Sequence, residues 1–175
     1  MKLELAGWPE GNTPKEFEET AEDLDVVHDL YRFSDEITVD VIVQKSSNEV
    51  VVEGRLRTTA YGSCVRCLDD VRFDVEQTFR LIGEIVPDAQ VGDDSGDPDF
   101  TLIKESEPVW DLNGAMRELI LLAIPDNPLC RDDCKGLCPQ CGANRNRETC
   151  QCAPASGAGQ MARLGDLINK RRSDK

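Results

Sequence analysis

Eight cysteines are the residues of this chain best suited to chemistry. Six fall within the 23 positions from Cys130 to Cys152: Cys130, Cys134, Cys138, Cys141, Cys150 and Cys152. Cys64 and Cys67 lie upstream. The sharpest element is Cys138-Pro-Gln-Cys-Gly142. Two residues between cysteines let both sulfurs meet one metal ion across a tight turn, and the following glycine tolerates the positive φ that such a turn needs. Cys150-Gln-Cys152 is the nearest pair that could close a tetrahedron. One intervening residue sends two side chains to opposite faces of a strand, so that pair predicts a loop. Cys64-Val-Arg-Cys67 has the same knuckle spacing. It could complete a second site with Cys130 and Cys134 if the segment after the helix folds back onto the sheet, and Cys134 could instead replace one of the first four. Zinc is the expected ion, because a closed four-thiolate set is a structural zinc site.

A catalytic zinc wants three protein ligands and an open water position, commonly with histidine. The only histidine, His28, is far from the cluster in sequence and reads as a surface residue. A redox role for Cys64 and Cys67 would want a helix start to lower a thiol pKa, and their flanks read as strands. The chain carries no phosphate loop, nucleophile elbow or zinc-protease helix, so it reads as a non-enzyme with no small-molecule substrate.

The elements that must position these cysteines are mostly strands. Residues 1–27 are polar and acidic and read as a loose arm or an edge segment. Ile37–Val43 and Glu49–Arg57 alternate apolar and polar residues, with a turn signal at Ser46-Ser-Asn48, and Thr58–Tyr61 continues extended. Val71–Val86 alternates again. Residues 87–99 are acidic and aperiodic and read as a mobile surface loop. Asp111–Ala123 repeats apolar residues at helical spacing (Leu112, Met116, Leu119, Ile120), with Asp111 as the candidate cap and Pro125 as the stop. Met161–Arg172 suggests a short helix with a basic end. The expected fold is α+β: an antiparallel β meander or small barrel packed by one helix, then a zinc-binding cysteine segment and a short terminal helix. Three parts follow: 1–127 (acidic, β-rich), 128–153 (cysteine-rich) and 154–175 (linker and basic helix).

Composition narrows the class. The 175 residues are 39% apolar but only 5% aromatic, so the core must be largely aliphatic. The start has no apolar run or cleavage-like site, and the longest apolar run, Leu119–Ile124, falls far short of the roughly 20 residues a bilayer needs. The expected compartment is the cytoplasm, without membrane contact, where clustered cysteines read as metal ligands rather than disulfides. The net charge is −14. Residues 1–127 hold 11 Lys and Arg against 29 Asp and Glu, net −18, while residues 128–175 hold 9 against 5, net +4. Four thiolates around one Zn²⁺ carry −2 and offset part of that basic end.

Several of these features together resemble one family. They are Ser63-Cys-Val-Arg-Cys-Leu68 after a strand, Asp111-Leu112 opening a helix that ends in Leu122-Ala-Ile-Pro125, then the run from Pro128 through Cys138-Pro-Gln-Cys-Gly-Ala-Asn144, with Asn146 and Cys150-Gln-Cys152. This order resembles the YceD family, the large ribosomal RNA subunit accumulation proteins, from about residue 25 to the terminal helix. The resemblance implies a part in synthesis, processing or stability of 23S rRNA and in large-subunit assembly. Its implied partners are rRNA, a large-subunit ribosomal protein or an assembly factor.

An acidic protein can serve such a role in two ways. Basic residues near the cysteines (Arg66, Arg131, Lys135, Arg145 and Arg147, with Lys170, Arg171 and Arg172) could touch RNA or a partner. Alternatively the acidic body could dock a basic protein with no RNA contact. A zinc-ribbon adaptor that binds only protein and a thiol-redox sensor are the competing readings.

Overall fold

The computed structural model describes residues 1–91 and 100–152. Among them the chain is mostly sheet, with one α-helix. It divides into two units. The first is Met1–Ser63 with Asp70–Pro128, and the second is Cys64–Asp69 with the chain from Leu129 onward.

The first unit is built from strands β1 (Lys2–Glu4), β2 (Gly11–Glu19), β3 (Tyr31–Phe33), β4 (Ile37–Ser46), β5 (Glu49–Ser63), β6 (Asp70–Val86), β7 (Phe100–Lys104) and β8 (Val109–Asp111), followed by helix α1 (Asn113–Ala123). The six-stranded sheet has the order β2-β4-β5-β6-β7, with β3 also pairing β5. β1 and β8 form a separate antiparallel ribbon. Alternation fixes which face is buried. Ile37, Val39, Val41 and Val43 of β4 and Val50, Val52, Leu56 and Ala60 of β5 turn inward, with Val51 and Thr58 also buried. Ser47 and Asn48 make the two-residue β4–β5 turn, with Ser47 at φ 55. The helix joins the same core through Met116 and Ile120, one turn apart and fully buried.

Three sequence expectations are corrected here. The sheet is not wholly antiparallel, because β7 pairs parallel to β6 (Ile82 opposite Phe100). The strand path runs from β2 to β7 without closing, so the meander stands and the barrel does not. Asp111 is not the helix cap. Leu112 holds that position without a side-chain bond, while Asp111 Oδ1 accepts the Asn113 N–H at 2.9 Å. Residues 11–19, of the segment read as a loose arm or an edge, form edge strand β2 on β4. Of the acidic 87–99 stretch, Asp88–Gln90 forms a 3-10 turn, and the Asp88 carboxylate accepts the Ser106 hydroxyl at 2.6 Å and its N–H at 3.2 Å. Residues 92–99 and the expected helix at 161–172 lie outside the described residues.

Candidate metal centres

The second unit takes Cys64–Asp69, which joins β5 to β6 along the chain, together with the cysteine segment. Both of its Cys-x-x-Cys stretches fold into the same knuckle. In the first, the Leu68 N–H donates to the Cys64 carbonyl at 2.9 Å and the Cys64 N–H donates to the Asp69 carbonyl at 2.8 Å. In the second, the Gly142 N–H donates to the Cys138 carbonyl at 2.9 Å and the Cys138 N–H donates to the Ala143 carbonyl at 2.8 Å. The residue after each second cysteine is left-handed, Leu68 at φ 62 and Gly142 at φ 75. The knuckle aims consecutive N–H groups at the first sulfur: Arg66 and Cys67 at Cys64, Gln140 and Cys141 at Cys138.

The eight thiols fall into two sets of four: Cys64, Cys67, Cys130 and Cys134, and Cys138, Cys141, Cys150 and Cys152. Within each set all sulfurs lie within 4.8 Å of one another. Cys64 Sγ is 3.7 Å from Cys134 Sγ, and Cys67 Sγ is 3.5 Å from Cys130 Sγ. A tetrahedral zinc with bonds of about 2.3 Å holds its sulfurs about 3.8 Å apart. The donor chemistry and the spacing therefore fit a metal ion in both sets. Cys150 and Cys152 lie in irregular backbone, which lets neighbours on alternate positions converge.

Electrostatics make a cation necessary for four thiolates to coexist. Burial opposes ionisation of Cys64, but N–H donation from Cys130, Arg66 and Cys67 outweighs it and brings the thiol down to about 6. Donation from Cys141 and Gln140 likewise brings Cys138 down to about 6. Burial, reinforced by the neighbouring sulfurs, pushes Cys67 up to about 12. The adjacent Cys141 and Cys138 sulfurs push Cys152 up to about 12. In each set, then, one thiol ionises readily and another holds its proton until a divalent ion compensates the charge.

Polar side chains hold the two knuckles in place within the unit. Asn144 Nδ2 donates to both oxygens of Asp69 (3.2 and 3.1 Å), and Arg147 forms an ion pair with the same carboxylate at 2.8 Å. Asn146 Nδ2 donates to Cys134 Sγ at 3.2 Å, while its Oδ1 accepts the Lys135 N–H at 2.8 Å. Hydrogen bonds of this kind, from a neighbour to a ligating atom, orient metal ligands. In the sequence Asn144 and Asn146 count only as part of the family-like motif, with no contact assigned to them, and Asp69 is given no part.

The basic residues named from sequence divide by what they touch. Arg66 Nη1 donates to the Cys134 carbonyl at 3.1 Å, and Arg131 pairs with Asp133 at 3.4 Å. With Arg147 on Asp69, three of the five described cations are engaged within the unit. Lys135 and Arg145 are exposed, and their side chains make no ion pair among the described residues. Lys170, Arg171 and Arg172 lie outside the described residues. His28 is half-buried in the first unit, its Nδ1 accepting the Leu30 N–H at 3.1 Å, and it belongs to neither thiol set.

Comparison with known proteins adds a direction. A family model described as "Large ribosomal RNA subunit accumulation protein YceD" matches residues 52–168, well over half of the 175. An uncharacterized protein of Mycobacterium tuberculosis is 30% identical over 106 residues, covering 61% of this chain and 50% of its own length. The chloroplastic large ribosomal RNA subunit accumulation protein YCED homolog 1 is 26% identical over 155 residues in Arabidopsis thaliana (75% of this chain, 48% of that protein). Its Zea mays counterpart is 26% identical over 148 residues (70% and 50%). The chain spans about half the length of these relatives. No solved structure shows a significant match. Among the described residues no helix is long and apolar enough to cross a membrane.

Proposed function

The chain belongs to the YceD family, and from that premise we propose that it is a non-enzymatic factor supporting accumulation of large-subunit 23S rRNA, with a second unit folded around two zinc ions. The observation that carries the zinc part is the convergence of eight cysteines into two all-sulfur sets at tetrahedral spacing. Such sets suit zinc or iron, and a closed four-thiolate site with no open position suits structural zinc. Cys64, Cys67, Cys130 and Cys134 would hold one ion, and Cys138, Cys141, Cys150 and Cys152 the other. Zinc supplies no reaction step here; it neutralises thiolates and fixes backbone. Residues 129–152 contain little apolar side chain beyond Leu129 and Leu137. Binding energy of roughly 10–16 kcal/mol per structural zinc would then supply the folding energy that a core cannot.

Lys135 and Arg145, with Lys170 to Arg172, are the residues proposed to meet RNA or a partner. A second reading, action through a protein partner without RNA contact, draws on two observations. The net charge of −14 opposes binding to a polyanion, and Arg66, Arg131 and Arg147 already serve the unit itself. Either activity would be exercised in the cytoplasm.

Depletion of the protein tests the assignment. The ratio of 23S to 16S rRNA should fall and should recover with the wild-type chain but not with Cys138→Ser. An unchanged ratio on depletion would sink the reading. Elemental analysis of untagged protein should give about two zinc per chain.

A further inference from the structure

In the first unit, a groove of about 740 Å³ opens between the segment running into β3 and the adjoining ends of β5 and β6. Its lining includes His28, Asp29, Leu30, Arg32, Tyr61 and Asp70. Leu30 and Tyr61 present apolar surface there at 47% and 43% exposure, and Val27, just before the groove, is 76% exposed. His28 packs edge-on against Tyr31 with ring centroids 5.1 Å apart, which stiffens the groove wall. β3 pairs only with β5, so its other edge carries no strand among the described residues.

Two carboxylates at this groove are free to take a cation. Over the middle of the sheet four others are already matched by arginines: Asp40 with Arg57 at 2.6 Å, Asp74 with Arg72 at 2.7 Å, Glu76 with Arg55 at 2.9 Å and Glu53 with Arg80 at 3.2 Å. Asp29 and Asp70 are exposed and make no side-chain ion pair or hydrogen bond among the described residues. The unit as a whole holds 10 Lys and Arg against 28 Asp and Glu, net −18.

We propose that this groove docks an extended segment of a basic protein. The segment would add to the free edge of β3 by main-chain hydrogen bonds, place cationic side chains against Asp29 and Asp70, and lay an aliphatic or guanidinium group on Tyr61. Arg32 lies opposite Tyr61 in the β3–β5 register and also carries no ion pair among the described residues, so it takes a main-chain carbonyl of the segment. Charge complementarity selects a basic protein over RNA, because the unit's field repels phosphates and attracts lysine and arginine. This deepens the assembly-factor reading by naming where its acidic unit takes a partner, and it rests on that reading for the biological setting.

The test is fluorescence anisotropy on the full chain with a labelled nonapeptide alternating arginine and valine. Asp29→Asn/Asp70→Asn should weaken binding about tenfold, and Tyr61→Ala by a similar factor, as expected when charged and aromatic anchors are removed. Glu16→Gln/Glu18→Gln on β2 removes the same charge elsewhere and should change affinity by less than about twofold. Equal losses in the groove and control variants would reduce the binding to general electrostatics and overturn the proposal. Tighter binding of a single-stranded oligouridylate, lost in Tyr61→Ala, would overturn it in favour of RNA. Complementation separates the groove from the family reading. If depleted cells lose 23S rRNA and Asp29→Asn/Asp70→Asn fails to restore it, the groove is supported. Full restoration by that variant overturns the groove's part in assembly and leaves the family reading standing. If depletion spares 23S rRNA, the family reading fails and the peptide titration alone decides the groove.

Discussion

The two Cys-x-x-Cys knuckles share hydrogen bonds and backbone form but sit in different surroundings. In the first set Cys64, Cys67 and Cys134 are 0%, 3% and 5% exposed and Cys130 is exposed, whereas in the second set Cys138 alone is buried, Cys141 is exposed and Cys150 and Cys152 are half-buried. The first set draws its remaining sulfurs from more than 60 residues away, the second from within 15 positions. One position reverses the expected chemistry. The second knuckle, whose Cys141 is exposed, has Gly142 at its left-handed corner, and the first, with both cysteines buried, has the exposed Leu68 there, a side chain that disfavours that conformation by about 1–2 kcal/mol. The contrast teaches that knuckle geometry is set by the Cys-x-x-Cys spacing rather than by the corner residue. The first site tolerates a strained corner that the second avoids.

Metal removal should separate the two sets most. A chelator added under reducing conditions should strip the Cys138 set first and the Cys64 set more slowly, and hydrogen exchange should show residues 129–152 losing protection while β4–β6 keep theirs. The scale is the roughly 10–16 kcal/mol of a structural zinc. Release of both ions at one rate, followed by a chromogenic chelator, would erase the distinction.

Acid should come next. Cys64 and Cys138 have pKa values lowered to about 6, so their thiolates persist above that pH and are lost as pH falls through it. Below about 6 an incoming ion must displace every thiol proton of its set, whereas at pH 7 one in each set is already gone. Zinc retention should therefore steepen downward below pH 6 in both sets, and titration with a competing chelator from pH 8 to 5 would show it. A flat profile would contradict the thiolate assignment.

Smaller effects resolve the sets individually. Asn146→Ala removes the donor to Cys134 Sγ and should weaken the first site alone by about 10–100-fold, read as the competition constant of each ion. Loss at the second site instead would misplace this residue. Smallest is the corner exchange. Leu68→Gly should stabilise the first knuckle by up to about 1 kcal/mol, net of glycine's own entropy cost, and Gly142→Leu should destabilise the second by about 1–2 kcal/mol. Thermal unfolding of the zinc-loaded variants measures both. A destabilising Leu68→Gly would show that the side chain at that corner contributes more than its strain costs.

Much of this was legible in the residues themselves. Alternation in Ile37–Val43 and Val71–Val86 places the central strands because only one face of each is apolar, and cysteine spacing suggests two sets of four while leaving Cys134 open to either. The parallel β7 was not legible, since strand direction depends on the connection from Pro87 onward, and an acidic aperiodic stretch carries no sign of which way it returns. Nor was the Leu68 corner, because leucine gives no local signal for positive φ. The contacts of Asp69, Asn144 and Asn146 were not legible, because Asn144 meets Asp69 across 75 positions and Asn146 meets Cys134 across 12, and in a sequence all three look like ordinary turn formers.

The separation of 63 positions between Cys67 and Cys130 carries a consequence for biosynthesis. An ion in the first set would cross-link a loop of that length, and closing it restricts the unfolded chain by about 4 kcal/mol on a chain-entropy scale. A ribosome making this protein exposes Cys64 and Cys67 long before Cys130 and Cys134, so the early pair must wait with half a coordination shell. The second set, contained in a short stretch, can load as soon as that stretch emerges. Assembly of the unit would then run from local to distant, with the first set the last to close.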